Sequence, residues 1–240
     1  LILKDIARAS EMADVIFITA PDEAINGCAH QLASSGAGWK KKIVLHCSGL
    51  LPARILQPLR QKGAETASCH PIQTFAEKKP AAGTLSCIYF GIEGSRLALD
   101  WARDMASRLG SKTVILKEGD KPLYHTACST ASNLMVALLE AAVSIAEKTG
   151  LDRQTALEML FPLIKKTLHN VKKIGIEKAL TGPLIREDIS TVTSHLKALE
   201  PYPDLRHTYL ALSSHGLDIA ERLAPENDTI KKWQRLVRDK

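Results

Sequence analysis

Three short apolar runs, each closing in a polar turn, organise the first third of the chain. Residues 15–20 lead into Pro21-Asp22, residues 43–45 into His46-Cys47-Ser48-Gly49, and residues 66–68 into Cys69-His70-Pro71. Apolar runs without polar alternation suit parallel strands covered on both faces. Helical patterns separate them, one around 23–33 and one from Pro52 to Gly63, with proline tolerated in a first helical turn. A strand at 87–92 alternates less cleanly. A helix over 96–109 stops at Gly110, and a further strand occupies 113–116. Strands separated by helices at this spacing predict crossover units and a largely parallel α/β sheet, with ligands beyond the carboxyl ends of the strands.

From Asp120 onward the strand pattern stops. Residues 121–149 read as one long helix, with Asp120 as N-cap, Pro122 in the first turn and Gly150 past the end. Asp152 can cap a second helix reaching about Lys173, kinked at Pro162. Shorter helices follow at 188–199, 205–223 and 228–239, with a turn-rich stretch over 175–186. The change of pattern places a domain boundary near Glu118: an α/β domain over 1–118, then an all-helical domain over 119–240.

Composition narrows the classes of function. Of 240 residues, 45% are hydrophobic and 24% charged, as in a soluble globular protein. Aromatics at 5% argue against base-stacking recognition of nucleic acid. The net charge of +6 owes much to Lys231, Lys232, Arg235, Arg238 and Lys240, which read as a solvated helix face. Five cysteines, odd in number and without CxxC spacing, argue against a disulfide framework and for a reducing cytoplasm. The best candidate for a membrane span, 134–146, is interrupted by Glu140, and no membrane partner is expected. Nothing resembles a signal peptide, and a first residue of Leu1 suggests that the chain starts partway through a protein.

Candidate chemistry sits in the polar turns. Ala20-Pro21-Asp22 can pass its backbone beside a dinucleotide's ribose or pyrophosphate, or simply form a strand exit. In His46-Cys47-Ser48-Gly49, Gly49 permits close backbone approach, and Ser48 and His46 offer hydrogen bonds to a nicotinamide or a carboxylate. The alternative is that Ser48 caps the next helix and His46 bonds locally. His70 can act as a general acid or donate to a substrate oxygen, its aim set by Pro71, with Gln73 in the same turn. The alternative there is a histidine satisfied by the main chain. Lys121 and His125 lie four apart on one helix face, continued by Ser129 and Ser132, with Asn133 beside them. A lysine in apolar surroundings loses its proton more easily, which suits acid/base work. Thr181 and Arg186 flank a turn in which Arg186 can clamp a carboxylate and Asp188 can cap a helix. Adjacent His-Cys pairs point to opposite sides of a strand, so no metal site is expected.

Taken together, Ala13-Asp14-Val15 through Pro21-Asp22, His46-Cys47-Ser48-Gly49, His70-Pro71-Ile72-Gln73-Thr74-Phe75, Asp120-Lys121 with Tyr124-His125, and Thr181-Gly182-Pro183 with Arg186 resemble one family. It comprises Rossmann-like proteins with a C-terminal helical domain of unknown function, usually described as candidate NADP-dependent oxidoreductases. Their fold resembles that of 6-phosphogluconate dehydrogenases, pyrroline-5-carboxylate reductases and prephenate dehydrogenases. The resemblance covers nearly the whole chain. It implies hydride transfer between a nicotinamide cofactor, NADP before NAD, and a small carboxylate-bearing substrate. A metabolite or nucleotide sensor on the same scaffold is the alternative. It also implies that residues 20–22 and His46, Ser48 and Gly49 hold the cofactor. His70, or Lys121 with His125, then handles the proton, while Asn133, Gln73, Thr181 and Arg186 orient substrate. The long helix would close the site and pair two subunits as a homodimer. The family's opening strand and glycine-rich phosphate turn are not found in these residues; Gly36-Ala37-Gly38 precedes a strand instead of opening a helix.

Overall fold

The computed structural model describes residues 6–77, 79–186 and 188–223. The helix expected at 228–239, with its basic cluster, lies outside the described residues. Within them the chain forms two compact units that divide after Leu134.

Five strands form one sheet in the order β1 (Val15–Ile18), β2 (Ile43–His46), β3 (Glu65–Pro71), β4 (Tyr89–Gly94) and β5 (Lys112–Ile115). The first three are parallel and in step, so that Ile18, His46 and Ser68 lie side by side where β1 and β2 end. β4 runs antiparallel to β3, and β5 runs parallel to β4. The missing alternation in β2 has a direct cause. Val44 and Leu45 point to opposite faces, and each is fully buried in a different core. One core joins Ile18, Val44, Leu56 and Leu59 to Ile25, Ala29 and Leu32 of helix α2 (Asp22–Ala33). The other joins Leu45, Ala67, Cys69, Phe90 and Ile92 to Ala98, Ala102 and Ala106 of helix α4 (Arg96–Arg108). Alanines four apart give α4 a flat stripe that lies close to the sheet.

Several expectations change in detail. Helix α1 (Ile6–Met12) was not expected. The 52–63 helix is a 3-10 turn over Ala53–Leu56 followed by the short helix α3 (Gln57–Arg60). β3 continues past Ser68 through His70 and Pro71 because β4 pairs with it there: His70 faces Gly91 and Pro71 faces Phe90. His70 is therefore a strand residue. The expected 121–149 helix is two, α5 (Lys121–Ala131) and α6 (Asn133–Glu147), broken at Ser132 with φ −119° and ψ −75°. The Thr126 and Thr130 hydroxyls bond carbonyls four residues back, a pattern that bends helices. Asp120 precedes α5 without a side-chain cap bond.

The second unit continues α6 and adds α7 (Arg153–Ala179), α8 (Ile189–Ala198) and α9 (Pro203–Leu223). Asp152 and Asp188 cap α7 and α8, accepting 3.0 Å bonds from the Thr155 and Thr191 amides. Pro162 sits inside α7, yet the departure from helical angles comes at Gly175, whose φ of 83° favours glycine. Val192, Leu196, Leu210 and Leu217 form the core of this unit, with a smaller cluster at Val143, Ala146 and Ala156. Large apolar side chains on α6 and α7, among them Val136, Leu163 and Ile176, are exposed on the single chain. The run 121–147 is long and apolar enough to cross a membrane by length and composition, which the narrower 134–146 window did not suggest. Its break at Ser132 and the burial of Lys121 at its start do not suit a continuous span.

Because Ile92 is fully buried in mid-sheet, Ile92→Ala is expected to destabilise the first unit by about 2–5 kcal/mol. Leu97→Ala, at an exposed site on α4, should cost under about 0.5 kcal/mol. Urea unfolding followed by tryptophan fluorescence, from Trp39 and Trp101 in this unit, measures both, and equal losses would contradict the core assignment.

Candidate active site

The site is built where the carboxyl ends of β2 and β3 meet the first turn of α5, all within the first unit. The turn after β2 is held by its own side chains. The Ser48 hydroxyl accepts from the amides of Leu50 and Leu51, at 3.1 and 2.9 Å, and donates to Asp22 Oδ2 at 2.8 Å. His46 is fully buried; its Nδ1 accepts from the Ser48 amide, which leaves Nε2 to donate to the Pro52 carbonyl at 3.3 Å. Both side chains are occupied in shaping the loop, so they follow the local-bonding alternative of the sequence reading. Pro21 makes a plain strand exit, its carbonyl accepting from Ala24 at 2.8 Å, and Asp22 ties that exit to the Ser48 turn.

Lys121 is almost wholly buried, 1% exposed, although it carries the longest polar side chain of the site. Its Nζ donates to the Ser48 carbonyl at 2.6 Å and to the Ser68 hydroxyl, which itself donates to the same carbonyl. Among the described residues no carboxylate is within ion-pair distance of it. Burial lowers its pKa to about 8, and the charges of Glu93 and Asp22 limit the fall. Glu93, also buried, faces Ser68 across the β3–β4 pair and accepts from the Ala53 amide at 2.9 Å.

Above this floor lie three rings. His70 Nδ1 is 2.8 Å from the Tyr124 hydroxyl, and the rings meet edge to face with centroids 5.7 Å apart. The His125 ring stands 6.0 Å from that of His70, again edge on. Two glycines make the space. A Cβ on Gly49 would come within 2.4 Å of the His125 ring and 2.9 Å of His70 Nε2, and one on Gly91 within 2.3 Å of the Tyr124 oxygen. Burial, then the charge of Lys121 and the neighbouring His125, lower the His70 pKa to about 4. Burial and Lys121 do the same to His46. Burial and the adjacent Cys128 push the Tyr124 phenol upward.

His70 opens onto a cavity of about 720 Å³, lined also by Thr19, Cys47, Pro71, Gln73, Phe75 and Thr84. Residues from the ends of all three parallel strands therefore share one hollow, a size that suits part of a dinucleotide or a small metabolite. Ala20 lines a separate hollow beside β1. Gln73 is exposed at the cavity wall, its amide turned toward Thr84 at 3.4 Å. Asn133 does not join the cluster: it opens α6 with its side chain exposed, because the break at Ser132 ends the helical face that was expected to carry it. Thr181 and Arg186 are exposed in the second unit, ahead of the Asp188 cap. Among the described residues no group of three His, Cys, Asp or Glu side chains could hold a metal ion. Sequence reasoning left Ser68, Gly91 and Glu93 out of the site and placed Tyr124 only in a motif. Tyr124, three residues past Lys121, offered a helical-face signal; the other three are set by strand pairing.

The lowered pKa values fix the direction of the pH response. Neutral His46 and His70 fold more readily than their charged forms, so stability present above about pH 6.5 should fall as pH drops toward 4. Lys121 acts at the other end: its folded pKa of about 8 lies below the ordinary 10.5, so stability should rise between those values. Lys121→Met should flatten that alkaline rise in thermal melts; an unchanged rise would remove Lys121 as its source.

Comparison with known proteins places this architecture. Residues 2–71 match a Rossmann-like domain, and residues 88–215 match a family described as a domain of unknown function, DUF2520. Protein TM1727 of Thermotoga maritima is 30% identical, with a TM-score of 0.72 over 86% of this chain and 78% of that one. A candidate NADP oxidoreductase of Bacteroides fragilis, BF3122, is 21% identical, with a TM-score of 0.70 over 91% and 80%. The Plasmodium falciparum pyrroline carboxylate reductase, solved with NADP bound, is 13% identical, with a TM-score of 0.57 over 96% and 79%. None of the functionally curated proteins matches the sequence. The largely parallel sheet, the helical unit that follows it in the chain and the match over more than half its length agree: this chain belongs to the DUF2520 family of Rossmann-like proteins.

Proposed function

We propose that the protein is a nicotinamide-dependent oxidoreductase that uses NADP in preference to NAD and acts on a small carboxylate-bearing substrate. The observation that carries this reading is the convergence of His70, Tyr124, His125 and Lys121 on the carboxyl ends of the parallel strands. The Rossmann-like match and the descriptions of the B. fragilis and P. falciparum proteins support the choice of cofactor. The cavity lined by Thr19, Cys47 and His70 fits the nicotinamide end, with backbone of the 19–22 and 46–49 turns beside it. When bound, the nicotinamide gives or takes the hydride. His70, open to the cavity, serves the oxygen or nitrogen next to the reacting carbon. Lys121, committed to the Ser48 carbonyl and Ser68, holds the floor in place. Arg186 and Thr181, both exposed in the second unit, are the residues that the family resemblance implies for a substrate carboxylate. A second copy of the chain suits the exposed apolar side chains of α6 and α7, among them Val136, Leu163 and Ile176. The five free cysteines fit a reducing compartment such as the cytoplasm.

Titration with NADPH is expected to raise the melting temperature and to enhance cofactor fluorescence, with NADH weaker. No response to either would overturn the reading. In NADPH-dependent reduction of a panel of small keto and imino acids, His70→Ala should lower kcat about 100-fold or more and change NADPH affinity far less. Light scattering should return twice the 26.2 kDa chain mass.

A further inference from the structure

The two nitrogens of His70 are differently placed. Nδ1 is engaged by the Tyr124 hydroxyl at 2.8 Å. Nε2 has no hydrogen-bond partner among the described residues and lies over Gly49, beside the cavity that His70 lines. We propose that Tyr124 is a positioning residue: its O–H donates to Nδ1 and so holds His70 as the uncharged imidazole that presents Nε2–H to the carbonyl or imine being reduced. The last clause rests on the oxidoreductase reading; the tautomer itself does not.

The direction of the Tyr124 proton follows from its surroundings. The phenol has one proton and two neighbours that could accept it, the imidazole nitrogen and the Cys128 thiol. Neutral imidazole nitrogen is much the better acceptor, and thiol sulfur a weak one. The proton therefore goes to Nδ1, and the thiol can donate to the phenol oxygen. A neutral imidazole that accepts at Nδ1 carries its hydrogen on Nε2. The ring has little freedom to do otherwise. Gly91 is the cross-strand partner of His70, and the phenol occupies the space a Cβ there would need. The His125 ring also stands edge on to it, with centroids 6.0 Å apart. Burial and the ammonium of Lys121 disfavour the imidazolium, while Asp22 acts weakly the other way. The site thus offers a fixed, uncharged donor at the point where negative charge grows on the substrate during hydride arrival.

The test is a two-bond proton–nitrogen correlation spectrum of the 15N-labelled full chain, with the His70 signal assigned by its loss in His70→Gln. The wild-type protein should show His70 as the Nε2–H tautomer. Tyr124→Phe should mix the two tautomers and move the His70 titration upward, because a bond favouring the neutral form is gone, while burial and Lys121 still hold it below the ordinary value. Gly91→Ala, which drives the phenol from its seat, should reproduce the effect. An Nδ1–H tautomer in the wild type overturns the proposal and needs no variant to be seen. A folded Tyr124→Phe protein with unchanged tautomer and titration overturns it as well. NADPH titration of the wild type separates the two ideas: failure to bind removes the oxidoreductase reading and leaves the tautomer result standing.

Discussion

A buried ammonium joins the parts of this molecule that matter for chemistry. Lys121 leaves the first turn of α5, passes under the sheet's carboxyl end and donates to the Ser48 carbonyl and the Ser68 hydroxyl. Burying a charge without a contacting carboxylate is costly, and here the cost is met by strong charge-assisted bonds and by the field of Glu93 and Asp22. The bonds place Tyr124 and His125, which follow on the same helix, over the ends of β2 and β3. Without that attachment the helix would present ordinary polarity to water.

Glycine supplies the complementary constraint. The three rings above the floor fit because Gly49 and Gly91 have no side chains in the space the rings fill. Position 49 is in a loop and position 91 in a strand, yet both meet the same requirement of close approach. The polar residues around them follow a division of labour. Ser48, His46, Asp22 and Glu93 spend their hydrogen bonds on backbone and on one another, whereas His70 keeps one nitrogen for the cavity. Scaffold and reactive groups thus share one site and are separated by how many of their bonding positions the protein already uses.

The helical unit shows how far pattern reading reaches. Caps at Asp152 and Asp188 were legible because a side-chain carboxylate and an amide three residues on are a purely local pair. The break at Ser132 was not, because an apolar stretch of this length looks continuous until the Thr126 and Thr130 hydroxyls are seen bonding back to the helix. That one break removes Asn133 from the face carrying Lys121 and His125. Apolar periodicity says that a helix forms; it does not say that the helix keeps its phase.

Sequence by itself determined the two-part plan: unalternating runs demand burial on both faces, and only a sheet wrapped by helices provides it, as Val44 and Leu45 in separate cores demonstrate. It also determined which turns carry polar groups at the sheet's carboxyl edge. Tertiary structure alone decided what those groups do. Whether a histidine is spent on its own loop, as His46 is, or keeps a nitrogen free, as His70 does, depends on partners 6 and 54 residues away. Glu93, Gly91 and Ser68 entered the site through strand register, and Lys121 through burial. Such distances in sequence collapse only when the chain packs, and the energies that set protonation and hydrogen bonding arise from that packing.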